Sequence, residues 1–228
     1  MFIRKFSTAA NSPALRHQLL SEALKCVPIL GWTQDALRHA ATRLQLPSIA
    51  IGLAPRGPLD LIHFAQDQIS QTCLDLHPPH SHLNTATASN IHAATDPHVF
   101  YGHVTDVMSS RLELMKPWMP RWQEALRVMA EPQHVKVSVD RLAELADQLC
   151  KSSSDPSYDG KFYMRRLAVG SVYASCELFM TMDQSPDYSD TFQMVQRRCR
   201  TLADTEKTAL HVEQMGKYWL KTIQGTLQ

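Results

Sequence analysis

Six of the eleven histidines crowd into one short stretch: His77, His80, His82, His92, His98 and His103. Imidazole is a common metal ligand, and His80-Ser81-His82 has a chelating spacing. The same stretch holds Pro78, Pro79, Thr85, Thr87, Ser89, Asn90 and Pro97 amid small side chains. That composition makes a surface linker, and a metal site needs ligands held rigid by neighbouring hydrogen bonds. Glu131-Pro132-Gln133-His134 is one copy of the Glu-x-x-His unit that helical di-iron centres use in pairs. A single copy at a Pro-interrupted helix end builds no such centre. There is no G-x-G-x-x-G, no P-loop and no H-E-x-x-H. The expectation is therefore no catalytic residue, no metal and no cofactor, although scattered Ser, Cys and His can form a triad invisible at this level.

Large flexible apolar side chains dominate the middle of the chain. Methionine adapts to irregular apolar surfaces, so part of this set is a candidate lipid cavity. The candidate lipid-binding residues are Met115, Trp118, Trp122, Leu126, Met129, Leu145, Leu167, Tyr173 and Phe179. A plain helical core explains the same pattern. At the end of the chain, Val212, Met215, Trp219, Leu220 and Ile223 share one side of a helix, with Lys207, Lys217 and Lys221 beside it. Trp within an apolar face flanked by Lys suits a membrane interface. Docking on the protein's own core is the alternative.

The elements that must hold these residues are helices. Apolar spacing of three and four is the rule beyond Ser12. Leu15, Leu19, Leu20, Ala23, Leu24 and Val27 form a stripe ending at Pro28 and Gly31. Thr33 is placed to cap a second helix through Leu44; Pro47-Ser48 opens a short third, and a longer one spans Leu59–Leu76. Such a series reads as a helix-turn-helix unit leading into a connecting helix. Later helices are expected at about 99–116, 121–131, 137–151, 158–183, 187–203 and 205–225, with Ser185-Pro186-Asp187 as a helix start and Asp204-Thr205-Glu206 as a joint. Only Val135–Val139 alternates like a strand. The fold class is all-α. The expected organisation is a segment over 1–12, a helix-turn-helix domain over 13–76, a His/Pro linker over 77–97, a helical domain over 98–203 and an amphipathic helix over 204–228.

Composition narrows the classes further. The 228 residues are 44% hydrophobic and 20% charged, with a formal net charge of +1. No apolar run approaches the ~20 residues of a membrane span. Five cysteines without a C-x-x-C spacing fit a reducing compartment better than a disulfide scaffold. The candidate recognition helix, Pro47-Ser48-Ile49-Ala50-Ile51-Gly52-Leu53, offers nothing to read a base edge. Across residues 21–70, Lys25, Arg38, Arg43 and Arg56 are balanced by Glu22, Asp35, Asp60 and Asp67. A neutral face forfeits the counterion release that dominates DNA affinity. Before Glu22 there is no acid, while Arg4, Lys5 and Arg16 accompany Ser7, Thr8 and Ser12, as in mitochondrial transit segments.

Two blocks carry a family resemblance. Gly31-Trp32-Thr33 with Ala36-Leu37, then Ala54-Pro55-Arg56-Gly57-Pro58-Leu59-Asp60-Leu61-Ile62, form the first. The second runs Phe162-Tyr163-Met164-Arg165-Arg166-Leu167-Ala168, Val172-Tyr173, Glu177-Leu178-Phe179-Met180 and Asp183-Gln184-Ser185-Pro186-Asp187-Tyr188. Together they resemble the mitochondrial ubiquinone-biosynthesis accessory family, that of the ninth Coq protein. The resemblance implies a TetR-regulator-like fold that has lost DNA binding, with a C-terminal lipid-binding bundle, and a homodimer. It implies a non-catalytic role: binding polyprenylated quinone intermediates at the inner membrane, as a peripheral matrix protein, and presenting them to the demethoxyubiquinone hydroxylase within the wider Coq assembly. The family's partner-facing patch falls on Leu149, Asp159, Phe162 and Tyr163, with both aromatics expected to be exposed. Just upstream, Cys150-Lys151-Ser152-Ser153-Ser154-Asp155 departs from the family pattern and keeps only its Asp. A TetR-type regulator, or an isoprenoid carrier without the hydroxylase, are the other classes considered.

Overall fold

A computed structural model describes residues 12–78, 96–152 and 160–226, in backbone only at 12, 161 and 220–226. The expected transit segment and His80, His82 and His92 lie outside the described residues. Helices α1 (Ser12–Leu30), α2 (Gln34–Arg43), α3 (Pro58–Leu76), α4 (Pro97–Met115), α5 (Trp122–Met129), α6 (Val135–Ser152), α7 (Gly160–Met180) and α8 (Ser189–Thr226) carry the fold. Short 3-10 turns occupy Ser48–Leu53, Lys116–Arg121 and Pro186–Tyr188. No strand occurs among the described residues, and the fold is all-α. The chain divides into two compact units, one of residues 1–72 with 114–140, the other of residues 73–113 with 141–228.

In the first unit, the α1 stripe Leu19, Leu20, Ala23 and Val27 is fully buried, as are Ala36, Leu37 and Ala40 of α2. Gly31 ends α1 in the left-handed region at φ +72°, where a side chain would collide with the Glu124 carboxylate. The end of α1 is then gathered by polar groups. Arg121 Nη1 donates to the Ile29 carbonyl at 2.7 Å, and the Trp32 amide donates to Glu124 Oε2 at 3.2 Å. These bonds seat Trp32 edge-on against Trp122, ring centroids 5.3 Å apart. Thr33 occupies the N-cap position of α2, but its hydroxyl donates to the Leu30 carbonyl at 3.0 Å and caps nothing.

The third element of the helix-turn-helix is the 3-10 turn Ser48–Leu53, followed by Gly57 at φ +58°. Asp60, 1% exposed, draws the surrounding cations inward. It accepts from the Arg56 amide at 3.0 Å and from Arg56 Nε at 2.9 Å, with Arg16 at 3.4 Å. Arg56 and Arg16 are thereby committed to an internal carboxylate, while Lys25 and Arg43 pair with Glu22 and Arg38 with Asp35.

The second unit packs α4, α6, α7 and α8 through Phe100, Val104, Met108, Leu149, Val169, Val172, Cys176, Val195 and Cys199. Gly170 brings α7 close to α6, since a Cβ there would stand 3.3 Å from that of Ala146. The details of this region sharpen the sequence expectations. Val135–Val139, despite its alternation, opens helix α6. Ser185-Pro186-Asp187 opens a 3-10 turn with Ser185 at its N-cap, as expected, but the α-helix itself starts only at Ser189, because Asp187 (φ 53°) and Tyr188 (φ 60°) are left-handed. Asp183 and Ser185 share the capping: Asp183 Oδ1 accepts from the Ser185 amide at 2.8 Å and Oδ2 from the Thr191 amide at 2.9 Å, while Ser185 Oγ accepts from the Asp190 amide at 3.0 Å. Burial pushes its carboxyl upward, and the bonds from Ser185 and Thr191 outweigh that and hold it below the usual range. Finally, Asp204-Thr205-Glu206 is no joint. One helix of 38 residues runs straight through it.

Candidate functional site

Alternation of burial along α7 turns one side of that helix outward. Tyr163 (73% exposed), Met164 and Leu167 (70%) stand on it, with Leu178 and Met182 further along. Phe162 is half-buried and meets Tyr163 edge-on, centroids 5.1 Å apart. Its ring is covered by the Arg166 guanidinium at 3.3 Å, a cation–π contact. Arg166 is itself held, donating to Asp147 Oδ1 at 2.8 Å and to the Phe162 carbonyl at 3.0 Å. Burial raises the Asp147 carboxyl; Lys151 and Arg166 outweigh it and hold the group below the usual carboxylate range. The α7 aromatics are thus fixed on a short ionic chain anchored in α6.

One turn further, Arg165 faces inward at 8% exposure. Its Nε lies 3.0 and 3.2 Å from the two oxygens of Glu206, and Nη2 also donates to that carboxylate. Tyr101 Oη donates to Glu206 at 3.2 Å, and the Phe100 ring lies under the Arg165 guanidinium at 4.5 Å. Burial, then Glu206, pushes the Tyr101 phenol well above its ordinary value, so it remains a donor. A second buried group joins Arg111 Nε to Tyr173 Oη at 3.1 Å, beside Glu177. Burial opposes the Arg111 charge, and Tyr173 and Glu177 overcome it and raise its pKa.

Glu206 anchors α8 to Tyr101 of α4 and Arg165 of α7. From His211 to Trp219 every residue is exposed, including Val212, Met215, Tyr218 and Trp219. Among the described residues, no core side chain covers this part of the helix. No helix among the described residues is long and apolar enough to cross a membrane.

Comparison with known proteins places these features. Residues 135–206 match the COQ9 family model, a stretch that contains both the Arg166–Asp147 and the Arg165–Glu206 pairs. Over that stretch the chain is similar to the COQ9 family. It is 27% identical over 212 residues to the human ubiquinone biosynthesis protein COQ9, mitochondrial, covering 92% of this chain and 64% of that protein. The fission yeast protein of the same name is 27% identical over 210 residues, covering 92% and 78%. In solved structures, a TetR transcriptional regulator from Nitrosomonas europaea superposes with a TM-score of 0.60 at 16% identity, covering 83% of this chain and 98% of its own. That likeness establishes the TetR-like fold.

The expected partner residues separate in the fold. Tyr163 is exposed, Phe162 only half so, and Leu149 is buried among the α6 core residues Ala146 and Cys150. Asp159 lies outside the described residues. Cys150 and Ser152, where the sequence departs from the family pattern, are both buried. The nine expected lipid residues are also dispersed. Met115, Trp118, Trp122, Leu126 and Met129 belong to the first unit, and Leu145, Leu167, Tyr173 and Phe179 to the second. Met115, Trp122 and Tyr173 are buried, Leu167 and Phe179 are exposed, and the others are half-buried. Leu220 and Ile223 of the expected membrane face are described in backbone only.

A cavity of about 780 Å³ opens in the first unit between residues 51–59 and 128–137, with Arg56, Glu131, Gln133 and His134 in its wall. None of the nine expected lipid residues lines it. Here the isolated Glu-x-x-His unit has a structural use: His134 Nδ1 lies 3.0 Å from the Val128 carbonyl and 3.4 Å from Glu131, closing the end of α5. Of the linker histidines, His77 bonds Ser110 at 2.8 Å and His98 lies 3.4 Å from Asp204. Asp183 and Glu206 are the residues that sequence reasoning missed. An Asx side chain just ahead of Ser-Pro was the available signal for Asp183; Glu206 had none, since its partners lie far away in the chain.

Proposed function

We propose that this chain is a non-catalytic accessory protein of ubiquinone biosynthesis that works on the matrix face of the mitochondrial inner membrane. In this reading it holds a polyprenylated quinone intermediate and presents it to the demethoxyubiquinone hydroxylase. The relatives' names support the pathway and the compartment. The observation that carries the mechanism is the exposed apolar face of α8 beyond Glu206. A polyprenylated ring is nearly insoluble in water, so its handling requires an apolar surface reaching the bilayer. Val212, Met215 and Trp219 present such a surface, each more than half exposed. The outward residues Tyr163, Met164 and Leu167 supply an aromatic and aliphatic patch for the hydroxylase, of the kind that anchors interfaces.

Flotation with liposomes tests the first part. Deleting residues 205–228 would also remove Glu206 and expose Arg165, so substitutions on the free segment are the cleaner perturbation. Trp219→Ser with Val212→Ser removes roughly 2–4 kcal/mol of interfacial apolar burial, about 30- to 1,000-fold in binding. Unchanged flotation would remove the helix from the account. Tyr163→Lys is expected to abolish capture of the hydroxylase while preserving the circular dichroism spectrum; retained capture refutes the patch. Native mass spectrometry of the purified chain should show a co-purified quinone or isoprenoid.

A further inference from the structure

The outer face of α8 carries a second feature upstream of its apolar end. Arg197, Arg198 and Arg200 are exposed, and no acidic partner engages any of them among the described residues. Nearby carboxylates are already matched: Glu206 by Arg165, Asp204 by His98 at 3.4 Å and Glu213 by Lys217. Lys207 adds another exposed cation on the same helix.

Helical geometry aligns these charges with the membrane face. At 3.6 residues per turn, Arg197 and Met215 lie about five turns apart and therefore share one azimuth. The same interval relates Arg200 to Tyr218, and Thr201 to Trp219. Because α8 is continuous through Asp204-Thr205-Glu206, that alignment is preserved across roughly 27 Å of helix. A bilayer that receives Met215, Tyr218 and Trp219 meets Arg197 and Arg200 on the same side.

We infer that Arg197 and Arg200 form an anionic-lipid contact, binding lipid phosphates at the bilayer surface while the distal turns enter the interface. The inference rests on the membrane reading above. Two facts support a lipid surface as the occupant: charge complementarity from arginines lacking an acidic partner, and continuity with the apolar face of the same helix. Guanidinium binds phosphate through paired N–H donors, and the long side chains reach the headgroups from a helix tilted shallowly to the surface. Asp204 lies on this face too, with His98 Nε2 at 3.4 Å.

The test compares full-length chains on phosphatidylcholine vesicles with and without about 30% phosphatidylglycerol, since each cation near an anionic surface strengthens binding about fivefold. Arg197→Gln with Arg200→Gln should bind anionic vesicles about 25-fold more weakly and neutral vesicles as the parent does. Equal binding of the double variant and the parent to anionic vesicles would overturn the inference, with the membrane reading intact. Trp219→Ser separates the two ideas: it should weaken binding to both vesicle types, and if it does not, the membrane reading itself fails. Inorganic phosphate at millimolar concentration should leave flotation unchanged; loss of the anionic enhancement would assign the arginines to free phosphate instead.

Discussion

Replacing Glu206 by Gln removes one charge from a nearly enclosed cluster and leaves its shape. Arg165 remains 8% exposed, with its side chain now facing an uncharged amide. Removing one partner of a buried ion pair typically costs about 3–5 kcal/mol, because the remaining charge has been taken out of water. Two features reduce that figure here. The Glu206 side chain is 16% exposed, and the Phe100 ring still faces the guanidinium at 4.5 Å. The amide oxygen also keeps one acceptor for Arg165 or Tyr101. The expected loss is about 2–3 kcal/mol, a fall of roughly 5–10 °C in Tm for a chain of this size. Thermal and urea unfolding followed by far-ultraviolet circular dichroism would measure it. The double replacement Arg165→Met with Glu206→Leu should recover most of the loss, since an apolar pair of similar volume is often neutral. A Glu206→Gln change below about 0.5 kcal/mol, or a double variant no better than the single, would refute the assignment of a buried, interdependent pair.

Gly31→Ala should cost about 1–3 kcal/mol, combining a left-handed backbone with displacement of the Glu124 carboxylate from the Trp32 amide. Chemical denaturation measures it, and a neutral substitution would mean that Glu124 moves freely. Asp183 has a lowered pKa in the folded chain, so its stabilising effect is complete above its unfolded value near 3.8 and is lost as pH falls through the folded value. Asp183→Asn is therefore expected to lower stability by ~1 kcal/mol at neutral pH and to narrow its gap from the parent below about pH 4; a gap independent of pH would refute the ionic capping.

Local pattern made much of this fold legible. The α1 stripe, the helix-turn-helix order and the uncharged recognition element all follow from spacing and side-chain type within one or two turns. The misreadings share a physical origin in distant partners. Asp204-Thr205-Glu206 reads as a polar joint because three polar residues are adjacent. In the fold, Glu206 turns inward to an arginine 41 positions earlier while its neighbours face solvent. Thr33 looks like a cap, yet the Leu30 carbonyl competes for its hydroxyl. Tyr163 was readable as an exposed aromatic, but the cover over Phe162 depends on Asp147 holding Arg166. Met115 and Trp122 have the composition of a lipid cavity and the burial of a packed core. Hydrophobicity alone does not distinguish those environments.

All five cysteines are buried thiols outside any disulfide. Burial pushes the Cys73 and Cys199 thiols upward, and pushes Cys176 up to about 11. Reactivity belongs to the thiolate, so the folded chain offers little to an alkylating reagent at neutral pH. A cysteine introduced at Tyr163 or Met215 would thus stand out against a quiet background. Helix α7 and the distal turns of α8 could each be labelled singly, with a spin probe or a dye, while every native thiol is kept.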